Sequence, residues 1–180
     1  MGKYAVIEST NMASTRYAER IYDAVATEDI ENGTVGYIED YVDDEGVVYA
    51  FNKGYKEDAI LVIVDQVAWD YDTTLISKQR KDNFICKAGT PFRVRALKLG
   101  DEFGLTKEGF TSATRDTLAK DMYVTIDGTT GKLVVEASEP TTNVYGKIMK
   151  KELRGGQLAT PANDYGYVSE MYIVKIKKLV

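Results

Sequence analysis

Short segments rich in β-branched and aromatic residues recur about every ten residues from residue 90 to the C-terminus. In the first of them, Arg93 and Arg95 alternate with apolar residues, which is the period of a strand with one buried face. Residues 122–126 and 132–136 flank Asp127-Gly128-Thr129-Thr130-Gly131, a strong hairpin signal. About six such strands predict a mainly β chain with a small, β-barrel-like C-terminal part.

The N-terminal segment is expected to form an arm with a short helix. Apolar residues recur at helical spacing over residues 14–27, and Ser14 or Thr15 can cap the helix. A strand over residues 21–26 also fits, because Tyr22 and its neighbours suit a sheet. Of these two alternatives, we predict the helix.

Two further strand patterns follow the arm. Residues 41–51 read as a hairpin, and Gly36 in the preceding strand is a candidate β-bulge. Residues 59–64 form a continuous apolar run of β-branched residues, which predicts a strand buried on both faces.

These patterns divide the chain into two parts. We predict an N-terminal arm over residues 1–33 and a β-rich domain over residues 34–180, with a subdivision near residues 82–90. A long loop over residues 65–81 lacks periodicity but carries Trp69, which suggests an ordered, functional loop.

Composition argues against an enzyme. The chain has no histidine, and its one cysteine, Cys86, lies in an apolar stretch where it is expected to pack as a small hydrophobe. Histidine is the commonest general base and metal ligand, so Ser-His and Cys-His pairs and Cys/His zinc sites are excluded. The acidic turn at residues 43–46 lacks the spacing of a calcium loop, and adjacent Asp101 and Glu102 point to opposite faces of a strand. We predict no catalytic residue, no metal and no cofactor.

The net charge limits the classes of partner that this chain is expected to bind. The net charge is −5, which argues against duplex nucleic acid as a partner. Residues 1–80 carry 7 basic and 16 acidic residues, and residues 81–180 carry 16 basic and 12 acidic residues. Such halves usually form two solvated faces of one domain, and attraction between neighbouring copies is the alternative. No apolar run suffices for a signal peptide or a membrane span, so we expect a soluble protein made in the cytoplasm.

Residues suited to binding a protein partner are better candidates for function than catalytic residues. Tryptophan, tyrosine and arginine dominate the energetic centres of protein interfaces. Two segments concentrate them, and the contact candidates are Arg16, Tyr17, Arg20, Tyr22, Trp69, Tyr71 and Arg80. A basic face around Arg93, Arg95 and Lys98 is an alternative, although such arginines usually lie on a solvated strand face or in ion pairs.

The order of several motifs resembles a known family. They are Ser14-Thr15-Arg16-Tyr17, Asp29-Ile30-Glu31-Asn32-Gly33-Thr34, Val67-Ala68-Trp69-Asp70-Tyr71-Asp72, Asn83-Phe84, Gly89-Thr90-Pro91-Phe92-Arg93 and Gly100-Asp101-Glu102-Phe103. This arrangement resembles head-associated structural proteins, the capsid decoration proteins of tailed phages of Gram-positive bacteria. The resemblance covers roughly residues 14–106 and brings no active-site residues with it.

The resemblance implies a virion protein that binds the outside of a shell of major capsid protein. Its copies are expected to associate on the capsid lattice, with the segment from Arg16 to Gly33 and the Trp69 loop as contacts. No membrane is expected as a partner. A tail tube or other tail component, and a barrel that binds sugar or single-stranded nucleic acid, remain alternatives.

Overall fold

β-Strands account for most of the regular structure in a computed structural model that describes residues 4–18, 20–42, 46–68, 81–155 and 168–179. In these residues, one short α-helix, α1, spans Ala13–Tyr17, and two single-turn 3-10 helices span Lys81–Asn83 and Lys107–Gly109. The strands in chain order are β1 (Ile7–Asn11), β2 (Ile21–Val25), β3 (Val35–Tyr41), β4 (Tyr49–Lys53), β5 (Ile60–Val64), β6 (Phe92–Ala96), β7 (Glu102–Thr106), β8 (Tyr123–Ile126), β9 (Leu133–Glu136), β10 (Val144–Gly155) and β11 (Val168–Leu179). The predicted mainly β class is confirmed. In these ranges, no helix is both long and apolar enough to cross a bilayer.

Five strands close into a barrel in the order β2-β4-β3-β5-β6. Strand β2 runs parallel to β4, and all other neighbours in the barrel are antiparallel. Val62, Val64 and Val94 are fully buried in the core of the barrel. Their branched side chains fit a pleated surface, which is why these segments favour strands.

The other six strands form an antiparallel sheet in the order β1-β7-β11-β10-β8-β9. Its longest members, β10 and β11, have 12 residues each and pair from Val144 to Gly155. Phe103, Leu105 and Val174 lie in the core on one face of this sheet.

Strand β5 joins the two structures. Val62 and Val64 lie in the core of the barrel. Leu61 and Ile63 lie in a second core, together with apolar side chains of the six-stranded sheet. Successive side chains of a strand point to opposite faces, so both faces of β5 are buried. The predicted two-sided burial of residues 59–64 is therefore confirmed for residues 61–64.

The chain contains a closed barrel, but not in the part where we expected it. Its strands lie within residues 21–96, and the strands after residue 100 belong to the open sheet. Alternating apolar residues indicate one buried face, which barrels and open sheets share. Closure depends on β2 pairing with both β4 and β6, and strand spacing carries no information on that long-range contact.

Two segments of the predicted arm, residues 1–33, take part in sheets. Strand β1 pairs with β7, and β2 completes the barrel. Helix α1 ends where Ala18 adopts the left-handed conformation, with a φ of 50°. The expected helix is thus confined to residues 13–17, and the strand alternative describes residues 21–25.

Both predicted hairpins are present. Strand β3 pairs with β4, with Tyr41 opposite Tyr49, while residues 43–45 of the turn lie outside the described residues. Strand β8 pairs with β9 across residues 127–131.

The turn of the second hairpin also docks on the barrel. The Gly131 carbonyl accepts the Val35 amide at 2.8 Å. At Gly54, whose φ is +90°, an added Cβ would lie 2.8 Å from the Gly128 carbonyl oxygen. The lack of a side chain at Gly54 therefore lets the turn lie against the barrel backbone.

An ion pair also stabilises the contact between this hairpin and the barrel. Lys132 Nζ lies 3.2 Å from Glu31 Oε1 and donates to the Glu108 carbonyl at 3.0 Å. The Glu31 carboxylate also accepts the Ala5 amide at 3.1 Å. Residues distant in sequence are thus held together at the boundary between barrel and sheet.

Gly36 is not a bulge. It pairs in regular register with Lys53 and Val62, and the irregularity in β3 lies between Ile38 and Tyr41. A Cβ at Gly36 would lie 2.3 Å from the Asn52 carbonyl oxygen and 2.4 Å from Cζ of Phe51. The absence of a side chain at Gly36 therefore leaves space for the Phe51 ring inside the barrel. The sequence pattern did not indicate this role.

Cys86 lies in the barrel core and exchanges two backbone hydrogen bonds with Ile30, each of 2.9 Å. It is 5% exposed, and burial raises the pKa of its thiol from 9.0 to about 12. The expectation that it packs as a small hydrophobe is confirmed.

We expect Cys86 to resist an aromatic disulfide reagent at pH 8 in the native protein and to react fully in denaturant, because the attacking species is the thiolate. Absorbance of the released thiol measures this. Above pH 9 the unfolded thiol ionises before the native one, so the contribution of Cys86 to stability falls as pH rises toward 12. Fast native labelling would contradict this placement.

We expect Gly36→Ala to lower the free energy of unfolding by about 1–3 kcal/mol, because the added methyl group overpacks the barrel against Phe51 and the Asn52 carbonyl. Gly128→Ala is the matched control, since a Cβ there meets no atom within 4 Å. Urea unfolding followed by fluorescence compares the two. Equal stability of both variants would remove the packing role of Gly36.

Candidate binding surface

Helix α1 is held against the rest of the chain by a buried carboxylate. Asp101, which is 4% exposed, accepts the Ala13 amide and the Lys98 amide, both at 2.8 Å. Met12, at the N-cap position of α1, is fully buried. The carboxylate thus satisfies a free amide in the first turn and ties the helix to the connection between β6 and β7.

The expected cap residues do not cap this helix. Ser14 is the second residue of α1 and is 1% exposed, and its hydroxyl has no hydrogen-bond partner among the described residues. The cap comes instead from Asp101, about 90 residues further along the chain. Local spacing cannot indicate a cap from so distant a residue.

The outer side of α1 exposes two of the predicted contact residues. Tyr17 is 74% exposed, and Arg16 is exposed. The Arg16 guanidinium donates from Nη2 to Asn11 Oδ1 at 2.8 Å. An exposed ring and an oriented guanidinium, on a helix fixed by Asp101, lose little freedom on binding a partner.

Arg20 lies at one end of the barrel. It has a φ of 54°, and its carbonyl accepts the amide of Ala96, the last residue of β6, at 3.0 Å. Its side chain is exposed. The backbone bond therefore fixes Arg20 at the point where the chain enters the barrel.

Three tyrosines lie at the same end of the barrel. Tyr41 ends β3, while Tyr22 and Tyr49 lie at the starts of the parallel strands β2 and β4. The rings of Tyr22 and Tyr49 meet edge to face at 5.4 Å, and those of Tyr41 and Tyr49 lie 4.4 Å apart. Tyr22 and Tyr49 also pack on the barrel core. The cluster thus covers the end of the barrel with aromatic rings.

Hydrogen bonding orders this cluster. The Tyr49 hydroxyl donates to the Tyr41 hydroxyl at 2.9 Å. This bond, more than burial, raises the pKa of Tyr49 above its usual value. Tyr41 remains 49% exposed, so its ring presents a polar tip and an apolar face to solvent.

Apolar side chains extend the cluster. Val42 and Val47, which flank the turn between β3 and β4, are 55% and 63% exposed. We define the barrel-end surface as the exposed or partly exposed residues at this end, namely Arg20, Tyr22, Tyr41, Val42, Val47 and Tyr49. The surface combines aromatic, aliphatic and guanidinium groups, the composition of an interface centre.

The predicted contact residues lie in different parts of the structure. It brings Arg20 and Tyr22 together at the barrel end and exposes Arg16 and Tyr17 on α1. Trp69, Tyr71 and Arg80 lie outside the described residues. Our sequence interpretation missed Tyr41 and Tyr49, although both lie within the predicted hairpin over residues 41–51.

The alternative basic face is weakened by an ion pair. Arg93 and Arg95 share one face of β6, as predicted, but only Arg93 is exposed. The Arg95 guanidinium contacts the Asp65 carboxylate, which also accepts the Ser9 hydroxyl at 2.6 Å. Arg95 thus neutralises a partly buried carboxylate and is not available to bind phosphate groups.

Asp101 and Glu102, the adjacent acidic pair, each have a structural partner. Asp101 holds α1, and Glu102 pairs with Lys175 at 2.8 Å. In the described parts of the chain, no three carboxylates or thiols are grouped as a metal site. A cavity of about 10 Å³ lies in the sheet core between Phe103, Val174 and other apolar residues, too small for more than a water molecule.

Comparisons with known proteins do not identify the chain. No protein-family model, curated protein or solved structure matches it. The barrel-end surface and α1 are therefore assigned from their own geometry.

We expect Asp101→Ala to lower the free energy of unfolding by about 1–3 kcal/mol, because two partly buried amides lose their acceptor. Hydrogen exchange at the Ala13 amide should accelerate in the same variant. Asp116→Ala, which removes an exposed carboxylate paired with Lys107, is the control and should leave both quantities nearly unchanged. Unchanged exchange at Ala13 would show that Asp101 does not hold the helix.

Proposed function

We propose that this protein is a non-catalytic virion component that decorates a tailed-phage capsid and stabilises it by binding the outer surface of the major capsid protein shell. The motif order over residues 14–106 supports the family, through its resemblance to capsid decoration proteins. The observation that carries the contact is the exposure of Arg16, Tyr17 and Arg20 on backbone held in place by Asp101 and Ala96.

Decoration of this kind needs binding and no turnover. A protein that binds the assembled shell more tightly than free subunits shifts the equilibrium toward the closed particle. Many copies on one lattice then add their individual contributions. A stable β fold with a rigid adhesive surface meets this requirement, because little conformational freedom is lost when it docks.

The side chains at the proposed contact fit a protein partner. Tyr17 presents a large ring with few torsions, and Arg16 and Arg20 present planar donors suited to carboxylates. The tyrosines of the barrel-end surface continue this contact area. We expect acidic and aromatic groups on the facing surface of the capsid protein.

Residues 1–33 cannot be removed to test this proposal. Strand β1 belongs to the six-stranded sheet and β2 to the barrel, so truncation would damage both. Point substitutions on exposed side chains leave the fold intact and isolate the contact.

We expect the full chain to co-sediment with shells assembled from the major capsid protein of the same virion, and the double variant Tyr17→Ala/Arg20→Ala to bind at least about tenfold more weakly. Binding isotherms from sedimentation measure this loss. Arg93→Ala/Arg115→Ala, which removes two exposed arginines elsewhere, is the matched control and should bind as the parent does.

Two results would count against the proposal. Failure of the parent chain to bind shells would remove the capsid function, and growth of the purified chain into tubes would favour a tail component. Equal binding by both double variants would retain the capsid function but exclude this surface as the contact.

A further inference from the structure

The hairpin of β10 and β11 extends beyond the rest of its sheet. Strand β10 pairs with β8 only at Gly146 and Lys147, and Ile148 makes the last backbone bonds on that side. From residue 150 to 155, β10 pairs with β11 alone among the strands that the structure describes. No described strand pairs with the other edge of β10 over these residues, and we call it the β10 edge.

The backbone groups of the β10 edge have a defined direction. Ile148 is buried in the core, donates to the Met122 carbonyl and accepts the Asp121 amide, both at 2.8 Å. Along a strand, the side-chain face and the hydrogen-bonding side alternate together. Core-facing residues of β10 thus direct their backbone groups away from β11.

The same rule applies beyond the register shift that follows Ile148. Lys151 stands opposite Tyr172, which faces the core. Lys151, Leu153 and Gly155 therefore direct their amide and carbonyl groups away from β11, toward the β10 edge. Such a row of groups is a template for another strand.

The side chains along this edge also permit pairing. Leu153, in the middle of the row, is 69% exposed. The Lys151 ammonium lies 2.7 Å from Glu170 Oε1, and Lys150 is paired with Glu152. Lysines usually protect edges by repulsion, but these two charges are compensated within the hairpin.

We propose that the β10 edge binds the β10 edge of a second copy of this chain, antiparallel, about a two-fold axis at Leu153. In this register, Leu153 of one copy faces Leu153 of the other, and each Lys151 stands opposite Gly155. Each of these pairs exchanges two backbone hydrogen bonds. The two sheets become one continuous sheet across both copies.

Charge selects this register and favours a second copy as the partner. With the axis at Leu153, Glu152 stands opposite position 154, an arginine in the sequence. A shift that places the axis at Glu152 sets two glutamates against each other and Lys150 against position 154, so like charges meet. A strand that complements itself in one register forms a closed dimer and not a filament.

Sedimentation equilibrium of the full chain tests this proposal independently of any capsid. We expect a mass of twice 20.1 kDa, and Leu153→Asp should weaken the dimer at least about tenfold by placing two carboxylates at the axis. Leu99→Asp is the matched control, since Leu99 is 65% exposed in the turn before β7. It should leave the mass unchanged.

Cysteine cross-linking tests the register. Opposed residues of a hydrogen-bonded pair have Cα atoms about 5.5 Å apart, within reach of a disulfide. We expect Leu153→Cys to form a covalent dimer under mild oxidation and Leu99→Cys to remain uncross-linked. Cys86 is buried and does not compete.

A monomeric parent chain at high concentration would overturn the proposal. So would a dimer that survives Leu153→Asp, or equal cross-linking of the two cysteine variants. A monomer whose binding to capsid shells is lost on Leu153→Asp would assign the β10 edge to the capsid protein and would also exclude a second copy as its partner.

Discussion

Burial of β5 on both faces is the constraint on which the rest of the structure depends. Val62 and Val64 fill the barrel, while Leu61 and Ile63 contribute to the core beneath the six-stranded sheet. Removing apolar area from water stabilises by about 25 cal/mol per Å². A strand that is covered on two sides therefore couples barrel and sheet into one hydrophobic structure. The docked turn at residues 127–131 and the ion pair of Glu31 with Lys132 reinforce that junction.

Polar groups in this protein divide into those that hold the fold and those that face solvent. Asp101 and the pair of Asp65 with Arg95 are at least partly buried and serve neighbouring backbone or side chains. Arg16, Tyr17 and Arg20 are exposed, although their backbone is well held. A rigid backbone beneath exposed aromatic and guanidinium groups is suited to binding because few torsions are lost on docking.

The two proposed contacts would act together. A two-fold dimer through the β10 edge would carry two barrel-end surfaces, one on each copy. Linking two weak contacts makes the second binding event intramolecular, so occupancy of a lattice rises without any new contact. The proposed dimer would be closed because its interface would be isologous. Association would then end at two copies in solution and extend only where a shell supplies repeated sites.

The sequence by itself determined the mainly β class, the two hairpins, the buried environment of Cys86 and the alternation of Arg93 and Arg95, because each follows from local periodicity or turn chemistry. Only the tertiary structure decided where the barrel closes, that Asp101 caps α1, and that Tyr22, Tyr41 and Tyr49 meet at one barrel end. These features join residues from distant parts of the chain, and local patterns cannot specify which strands pair. The face that a strand buries is thus readable from sequence, whereas its neighbour is set by the packing of the whole chain.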